Sequence, residues 1–523
     1  MIVSREFPPL PTLEELKALY PDDLELIQVQ VLFRHGERTP VRARFQTWGL
    51  QPFWPFCKIA ERFVQSIVTY PNADVTPFEY VRRLESVANH LPKNIPVAAS
   101  GFKQGDHDGL CMLGELTDLG RYTGFVLGER LRWKYVDQLG FLPRLFDDHG
   151  PFYFRSSHIA RSNETLLSLF QGLYPSTFQA GGIKPVVYTR LFPQENSYPN
   201  DENCRRLSEL GFMFAEVVAH KWNPVLAGYP SSQVKDVLPD GIAIDGSPRA
   251  SGVFDTVAAC KAHDVALPAG FDDPKVVDTI REAVIDEWYL GVQSSNEYRK
   301  LAVGALAGDF VHRMEAAVQY DTEKQNLAPH LIAAQKKLRD LLAQGTTTPD
   351  KLVGGGNPDI KLALYGSHDT TIASLLCALE AFDRKWPPFT ADLTMELFAK
   401  NVYAEKIEPI QLVSTPNTSE SDSSAANTHQ KKPVKRDYYV RLSYNDQILR
   451  LPGCVPEGRH LPGDESICTF SAFQRIVDSF TPINWERECR TNLGEPLKDA
   501  PEIAKAFAQI PRQSGQVMAK VQA

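Results

Sequence analysis

Apolar side chains recur at every second position from Ile27 to Phe33. Ile27, Val29, Val31 and Phe33 are separated by Gln28, Gln30 and Leu32. A period of two predicts a half-buried β-strand. Short apolar runs over Pro151–Phe154, Lys361–Tyr365 and Leu393–Phe398 predict three more strands. Tyr438–Tyr444 and Gln447–Leu451 flank Asn445-Asp446 and predict a hairpin with a tight turn. Elsewhere the period lengthens to that of a helix. A short helix is expected around Leu13–Tyr20, and a longer one starts at Thr117 or Asp118 and reaches Arg132. Ser162 or Asn163 caps a helix that carries Leu166, Leu167 and Phe170 on its apolar side. Thr370–Glu380 carries Ile372, Leu375, Leu376 and Leu379 in the same way. The stretch 205–345 reads as mainly helical, with Leu331–Leu342 its clearest helix and Gly345 the stop.

Strands alternate with helices at both ends of the chain, and a helical stretch lies between. This predicts an α/β fold: a mainly parallel central sheet flanked by helices, with an inserted, mostly helical cap. The core is expected from residues 1–44, 110–200 and 350–490, and the cap from 45–109 and 205–345. Residues 414–436 hold no aromatic residue and no Leu, Ile or Met, and predict a disordered loop within the core.

Composition narrows the function. Of 523 residues, 43% are hydrophobic and 23% charged, as in ordinary globular proteins. The net charge is −8, which argues against nucleic acid as a partner. No apolar run is long enough to span a membrane. The N-terminal residues lack a basic region followed by an apolar one, so a cytoplasmic location is expected, with mitochondria as the alternative and secretion excluded. That setting predicts mostly reduced thiols among the eight cysteines, although Cys454 and Cys468 form a plausible disulfide pair. No C-x-x-C pair is present to suggest zinc. Asp106-His107-Asp108 is the one acidic cluster that suggests a metal, and it reads better as a solvated turn. The aromatic stretch Phe45–Phe63 lines an acyl-chain pocket or packs within the cap.

The chemistry lies at the ends of three predicted strands. Arg34-His35-Gly36-Glu37-Arg38-Thr39-Pro40 follows the first, Arg155-Ser156-Ser157-His158 the second and Gly366-Ser367-His368-Asp369 the third. Ligands of open parallel sheets bind at the carboxyl ends of the strands, where these loops meet if the strands are neighbours. Arginine offers a fork of donors matched to phosphate. A histidine between two arginines resists protonation and stays a nucleophile. His35 is therefore expected to take a phosphoryl group. Arg34, Arg38, Arg155 and a protonated His368 would hold the equatorial oxygens, and Asp369 would protonate the leaving group. Asp369 would then serve as base for the attacking water. The bland alternatives are a helix N-cap for Asp369 and a carboxylate partner for Arg155.

These motifs, with Leu116-Thr117-x-x-Gly120, resemble the histidine acid phosphatase family, branch 2 of the histidine phosphatase superfamily. Gly128–Arg132 with Tyr135, Tyr198–Asn200, Phe382–Phe389 and Asp392–Leu397 resemble segments of its lysophosphatidate-hydrolysing members. The resemblance implies a phosphoglycerate-mutase-like core, His35 as the phosphorylated nucleophile and Asp369 as proton donor. It implies phosphate binding by Arg34, Arg38, Arg155 and His368, with no metal and no organic cofactor. The expected partner is a small phosphorylated substrate, with lysophosphatidic acid favoured over inositol phosphates and other small phosphomonoesters. A non-catalytic phosphate-binding protein is the rival reading from another class.

Overall fold

The computed structural model describes residues 4–51, 53–58, 63–69, 74–80, 110–181, 183–228, 237–326, 359–402 and 435–510, with the backbone alone for 63–69 and 74–80. The expected helix Leu331–Leu342, the Asp106–Asp108 cluster and most of the 414–436 loop lie outside these residues.

Among the described residues nine strands form one mixed sheet. Its centre is β1 (Glu25–Arg34), the first predicted strand. The two-stranded sheet β2 (Phe63–Thr69) and β3 (Asp74–Tyr80) stands apart. On one side of β1 come β6 (Leu362–Ser367), β4 (Phe152–Ser156) and the edge strand β5 (Val187–Tyr188), all parallel to their neighbours. On the other side β7 (Asp392–Val402) and β8 (Lys435–Tyr444) run antiparallel. Beyond β8 lie the short β10 (His460–Leu461) and β11 (Asp464–Thr469), and β9 (Gln447–Ile448) closes the hairpin on β8. Register keeps the parallel ends level: Arg34 faces Ser367, and Ser156 faces Gly366. The loops after β1, β6 and β4 therefore leave the sheet side by side.

β1 is buried on both faces from Gln28 onward, not on one face as its alternation suggests. Val29, Val31 and Phe33 pack with α2 (Asp118–Leu131) and α3 (Ala160–Leu173) through Leu127, Leu166 and Phe170. The glutamines face the other layer, where their amides find partners. Gln28 Nε2 donates to the Ile360 carbonyl at 3.0 Å, and Gln30 Nε2 to the Phe310 carbonyl at 2.9 Å. Buried amides are tolerable when bonded in this way.

Between β5 and β6 run α4 (Arg205–Ala227), α5 (Ala250–Ala262), α6 (Pro274–Ser294) and α7 (Ala305–Asn326). Part of this helical stretch forms its own cluster with Phe45, Leu50 and Trp54. Phe45 and Trp54 are thus packing residues, although Phe45 also reaches a cavity wall described below. The 45–109 stretch departs from its expected helical character. It holds the β2–β3 pair, rich in β-branched residues such as Val64, Ile67, Val68, Val75 and Thr76, which fit a pleated surface better than a helix. The expected 414–436 loop also ends early: Lys435 and Arg436 already belong to β8, where Arg436 pairs with Asp321 at 2.7 Å.

Most thiols are not free. Cys57–Cys111, Cys204–Cys489 and Cys454–Cys468 are disulfides, and Cys260 and Cys377 are free and buried. The expectation of mostly reduced thiols, which rested on the expected location, is not met: the plausible Cys454–Cys468 pair is present, and two further pairs join cysteines 54 and 285 residues apart.

Candidate active site

The Arg34–Arg38 loop is fixed from below by α2. A Cβ on Gly36 would lie 2.3 Å from the Gly120 carbonyl oxygen, and one on Gly120 would lie 2.2 Å from the Glu37 carbonyl oxygen. Only glycine at both positions allows this approach. His35 is locked into the sheet: its N–H donates to the Ser367 carbonyl at 3.1 Å, and its carbonyl accepts from Thr390 N–H at 3.2 Å. Its ring Nδ1 lies 2.9 Å from the Gly36 carbonyl. A carbonyl only accepts, so Nδ1 carries the proton and Nε2 keeps its lone pair. Burial holds the His35 pKa well below the ordinary histidine value, and Arg161, Arg38, Arg34 and His368 push it the same way. The imidazole is a neutral base in a positive surround.

Arg34 stacks on Phe389, with Cζ 4.0 Å from the ring centre. Its Nη1 donates to the Pro387 carbonyl at 2.7 Å, and its Nη2 meets Asp369 Oδ2 at 2.7 Å. Arg38 is held by Asp255 at 2.8 Å and by the Thr39 carbonyl at 3.1 Å. Asp369 is the first residue of α8 (Asp369–Ala378), and His368 occupies the N-cap position without capping through its side chain. The N-cap alternative for Asp369 is thus shifted by one residue. Asp369 Oδ1 accepts from Thr370 N–H at 2.9 Å, and Oδ2 accepts from Trp386 Nε1–H at 3.0 Å. Burial alone would raise the Asp369 pKa, but Arg34, Arg38, His368 and the Trp386 bond outweigh it, so the carboxyl lies below the usual range. His368 sits edge-on to His35 at 5.5 Å between ring centres, and its Nε2 lies 3.1 Å from Ser157 Oγ. Burial and Arg161 push its pKa down to about 3, against the pull of Asp369. The expected protonated His368 is therefore neutral in the free site.

Arg155 is not in the site. It lies within β4, where it extends to Glu195 and Asn196 at 2.7 and 2.6 Å and to Asp309 of α7 at 3.3 Å. Strand alternation aims it with Tyr153 at the α7 face, and the carboxylate-partner alternative describes it. Arg161, not Arg155, lines the cavity beside His35, Arg38, His368 and Asp369. α3 begins at Ala160, two residues before the predicted cap, so Arg161 is in the first turn. Burial and Arg38 pull its pKa down to about 9. Its buried Nε makes no hydrogen bond in the protein. A cation at a helix N-terminus opposes the dipole, a misfit that shows only once the helix is known to start at Ala160.

His35, Arg38, Arg161, His368 and Asp369 share a cavity of about 460 Å³. A second cavity, of about 760 Å³, adjoins it at Arg38, Trp288, Asp369 and Thr370. Phe45, Val237, Leu238, Phe254 and Trp386 give it apolar walls, and Arg42 and Arg44 stand beside them.

Residues 25–445 match the model of the histidine phosphatase superfamily, branch 2. The chain belongs to this family. It is 34% identical to a probable acid phosphatase of Schizosaccharomyces pombe, over 90% of this chain and 95% of the relative. It is 30% identical to human lysophosphatidic acid phosphatase type 6, over 72% of this chain and 74% of the relative. The chain is a phosphomonoester hydrolase of the histidine acid phosphatase type. Among the described residues no group of His, Cys, Asp and Glu is arranged to hold a metal ion, and no helix is long and apolar enough to cross a membrane.

The two arginines make opposite predictions. Arg161→Ala removes a cation whose unpartnered Nε is buried at the cavity and should cut kcat/KM by about 10²–10³-fold with little change in melting temperature. Arg155→Ala leaves Glu195 buried without its cation and should cost about 3–5 kcal/mol of stability. Its folded fraction should keep kcat/KM within a few-fold. Steady-state rates and denaturant unfolding of both variants check this, and the reverse pattern would restore Arg155 to the site.

Proposed function

We propose that the protein hydrolyses lysophosphatidic acid to monoacylglycerol and phosphate through a phosphohistidine on His35. The observation that carries the mechanism is the neutral His35 ring, whose Nε2 lone pair is kept free by the Nδ1–Gly36 hydrogen bond. Nε2 attacks phosphorus as the bond to the alcohol oxygen breaks. Arg34, Arg38 and Arg161 neutralise the equatorial oxygens, and His368 donates to one of them once phosphate charge favours its protonated form. Asp369 gives its proton to the departing oxygen. Water then attacks the phosphohistidine, Asp369 takes a proton from it, and phosphate leaves.

Asp369 is ionised in the free site, so the proton enters with the substrate. A phosphate monoanion bound beside the Asp369 carboxylate holds the same proton count as a dianion beside the acid. Phosphate oxygens that compete for Arg34 also weaken the pair that keeps Asp369 ionised.

The substrate assignment is supported by the human relative's name and by the apolar walls of the larger cavity, which suit an acyl chain. One feature favours inositol phosphates instead: Arg42 and Arg44 line that cavity and would meet a second phosphate. A comparison of kcat/KM across lysophosphatidate, glycerol 3-phosphate and inositol phosphates decides. Lysophosphatidate should exceed glycerol 3-phosphate by at least about tenfold, roughly the worth of two buried methylenes. A preference for inositol phosphates would reverse the assignment.

A further inference from the structure

Arg38 and Arg34 are held differently. Arg34 is gripped by Asp369 and by a backbone carbonyl, both beside the sheet. Arg38 takes its one carboxylate partner among the described residues from the helical insertion. Asp255 lies on α5, and its Oδ1 meets Arg38 Nη2 at 2.8 Å. Its Oδ2 accepts from Val41 N–H at 3.0 Å and lies 3.8 Å from Arg44. One side chain therefore ties the loop after β1 at two points, residues 38 and 41.

We propose that Asp255 is a positioning residue for phosphate: it fixes the Arg38 guanidinium and couples docking of the helical insertion to the phosphate grip. The proposal rests on the phosphate-site reading above. Two effects oppose each other. A carboxylate near the site repels phosphate, but it occupies only Nη2 of Arg38, leaves Nε without a hydrogen-bond partner and is shared with Arg44. Without it, the backbone of the loop keeps its bonds to residues 112–117, but the long, rotamer-rich Arg38 side chain must be ordered by the ligand itself. Ordering dominates, because among the described residues Arg38 otherwise has the Thr39 carbonyl and the ring of Phe389, 5.8 Å from its Cζ, to hold it.

The test is calorimetric binding of inorganic phosphate to the full chain, with p-nitrophenyl phosphate kinetics alongside. Asp255→Ala should weaken phosphate about tenfold and raise KM to match, with kcat within about three-fold. Asp255→Asn keeps the shape and an acceptor, and should show a smaller loss of the same kind even if the alanine variant folds poorly. Arg38→Ala with Asp255→Ala together should bind phosphate no more weakly than Arg38→Ala alone. Unchanged or tighter phosphate binding in the Asp255 variants, or additive losses in the double variant, would overturn the proposal while leaving the active-site reading intact. A merely structural Asp255 would lower the melting temperature with phosphate affinity preserved, which also overturns it. Wild-type protein that binds no phosphate would overturn the site reading and this proposal together.

Discussion

His35→Ala should lose activity by on the order of 10⁴–10⁶-fold on alkyl and aryl phosphates alike. The size follows from the route. Without Nε2 there is no covalent intermediate, and water must attack a phosphate crowded by arginines with no base placed for direct displacement. The loss should fall on kcat. Arg34, Arg38 and Arg161 remain, so inorganic phosphate should still bind. The backbone bonds of His35 to Ser367 and Thr390 do not involve its ring, so the loop should keep its course. Activity above about one percent of wild type would remove His35 from the nucleophile's role.

Asp369→Asn should separate substrates by their leaving groups. An alkoxide leaves as a strong base and needs a proton as the P–O bond breaks. p-Nitrophenolate is a weak base and hardly needs one. Alkyl phosphate turnover should fall by about 10²–10⁴-fold, the usual worth of a general acid, and p-nitrophenyl phosphate turnover far less. Phosphate affinity should hold or rise, because Arg34 Nη2 loses its carboxylate partner and is free for the ligand while the Pro387 carbonyl and Phe389 still hold the guanidinium. The rival, a structural Asp369 that serves Thr370 N–H and Trp386, predicts equal small losses on both substrates and a lower melting temperature. In the wild type, the Asp369 pKa lies below the carboxylate range, so the transferable proton belongs to the substrate monoanion. A phosphomonoester gives up that proton near pH 6, so alkyl kcat/KM should fall about tenfold per pH unit above about 6. His35, with its pKa held low by burial and three arginines, should impose no acid limb near pH 6. A profile that rises through neutrality would contradict this assignment.

The sequence reveals the sheet more clearly than its partners. β1, β4 and β6 are visible because short apolar runs end in charged loops, and the parallel register brings those ends together. The second buried face of β1 is hidden, since Gln28 and Gln30 read as solvated until helices cover them. The site divides in the same way. His35, Arg34, Arg38, His368 and Asp369 lie beside their strand ends, where local pattern suffices. Arg155 and Arg161 differ by six positions, and choosing between them requires knowing where β4 ends and α3 begins. Asp255 reaches the site from a distant segment that no local pattern marks, and Trp386 from Phe382–Phe389, which only resemblance marks. The disulfides Cys57–Cys111 and Cys204–Cys489 are equally non-local, while Cys454–Cys468 spans 14 residues and is readable.

The central claim is the phosphohistidine, and trapping it tests the claim most directly. The enzyme is mixed with radiolabelled p-nitrophenyl phosphate, quenched within milliseconds under alkaline denaturing conditions, digested and mapped. The mechanism predicts label on the peptide containing His35, stable to base and lost in acid, at Nε2 rather than Nδ1 because the Gly36 carbonyl engages Nδ1–H. No label in the wild type during rapid turnover, or label persisting in His35→Ala, would contradict it.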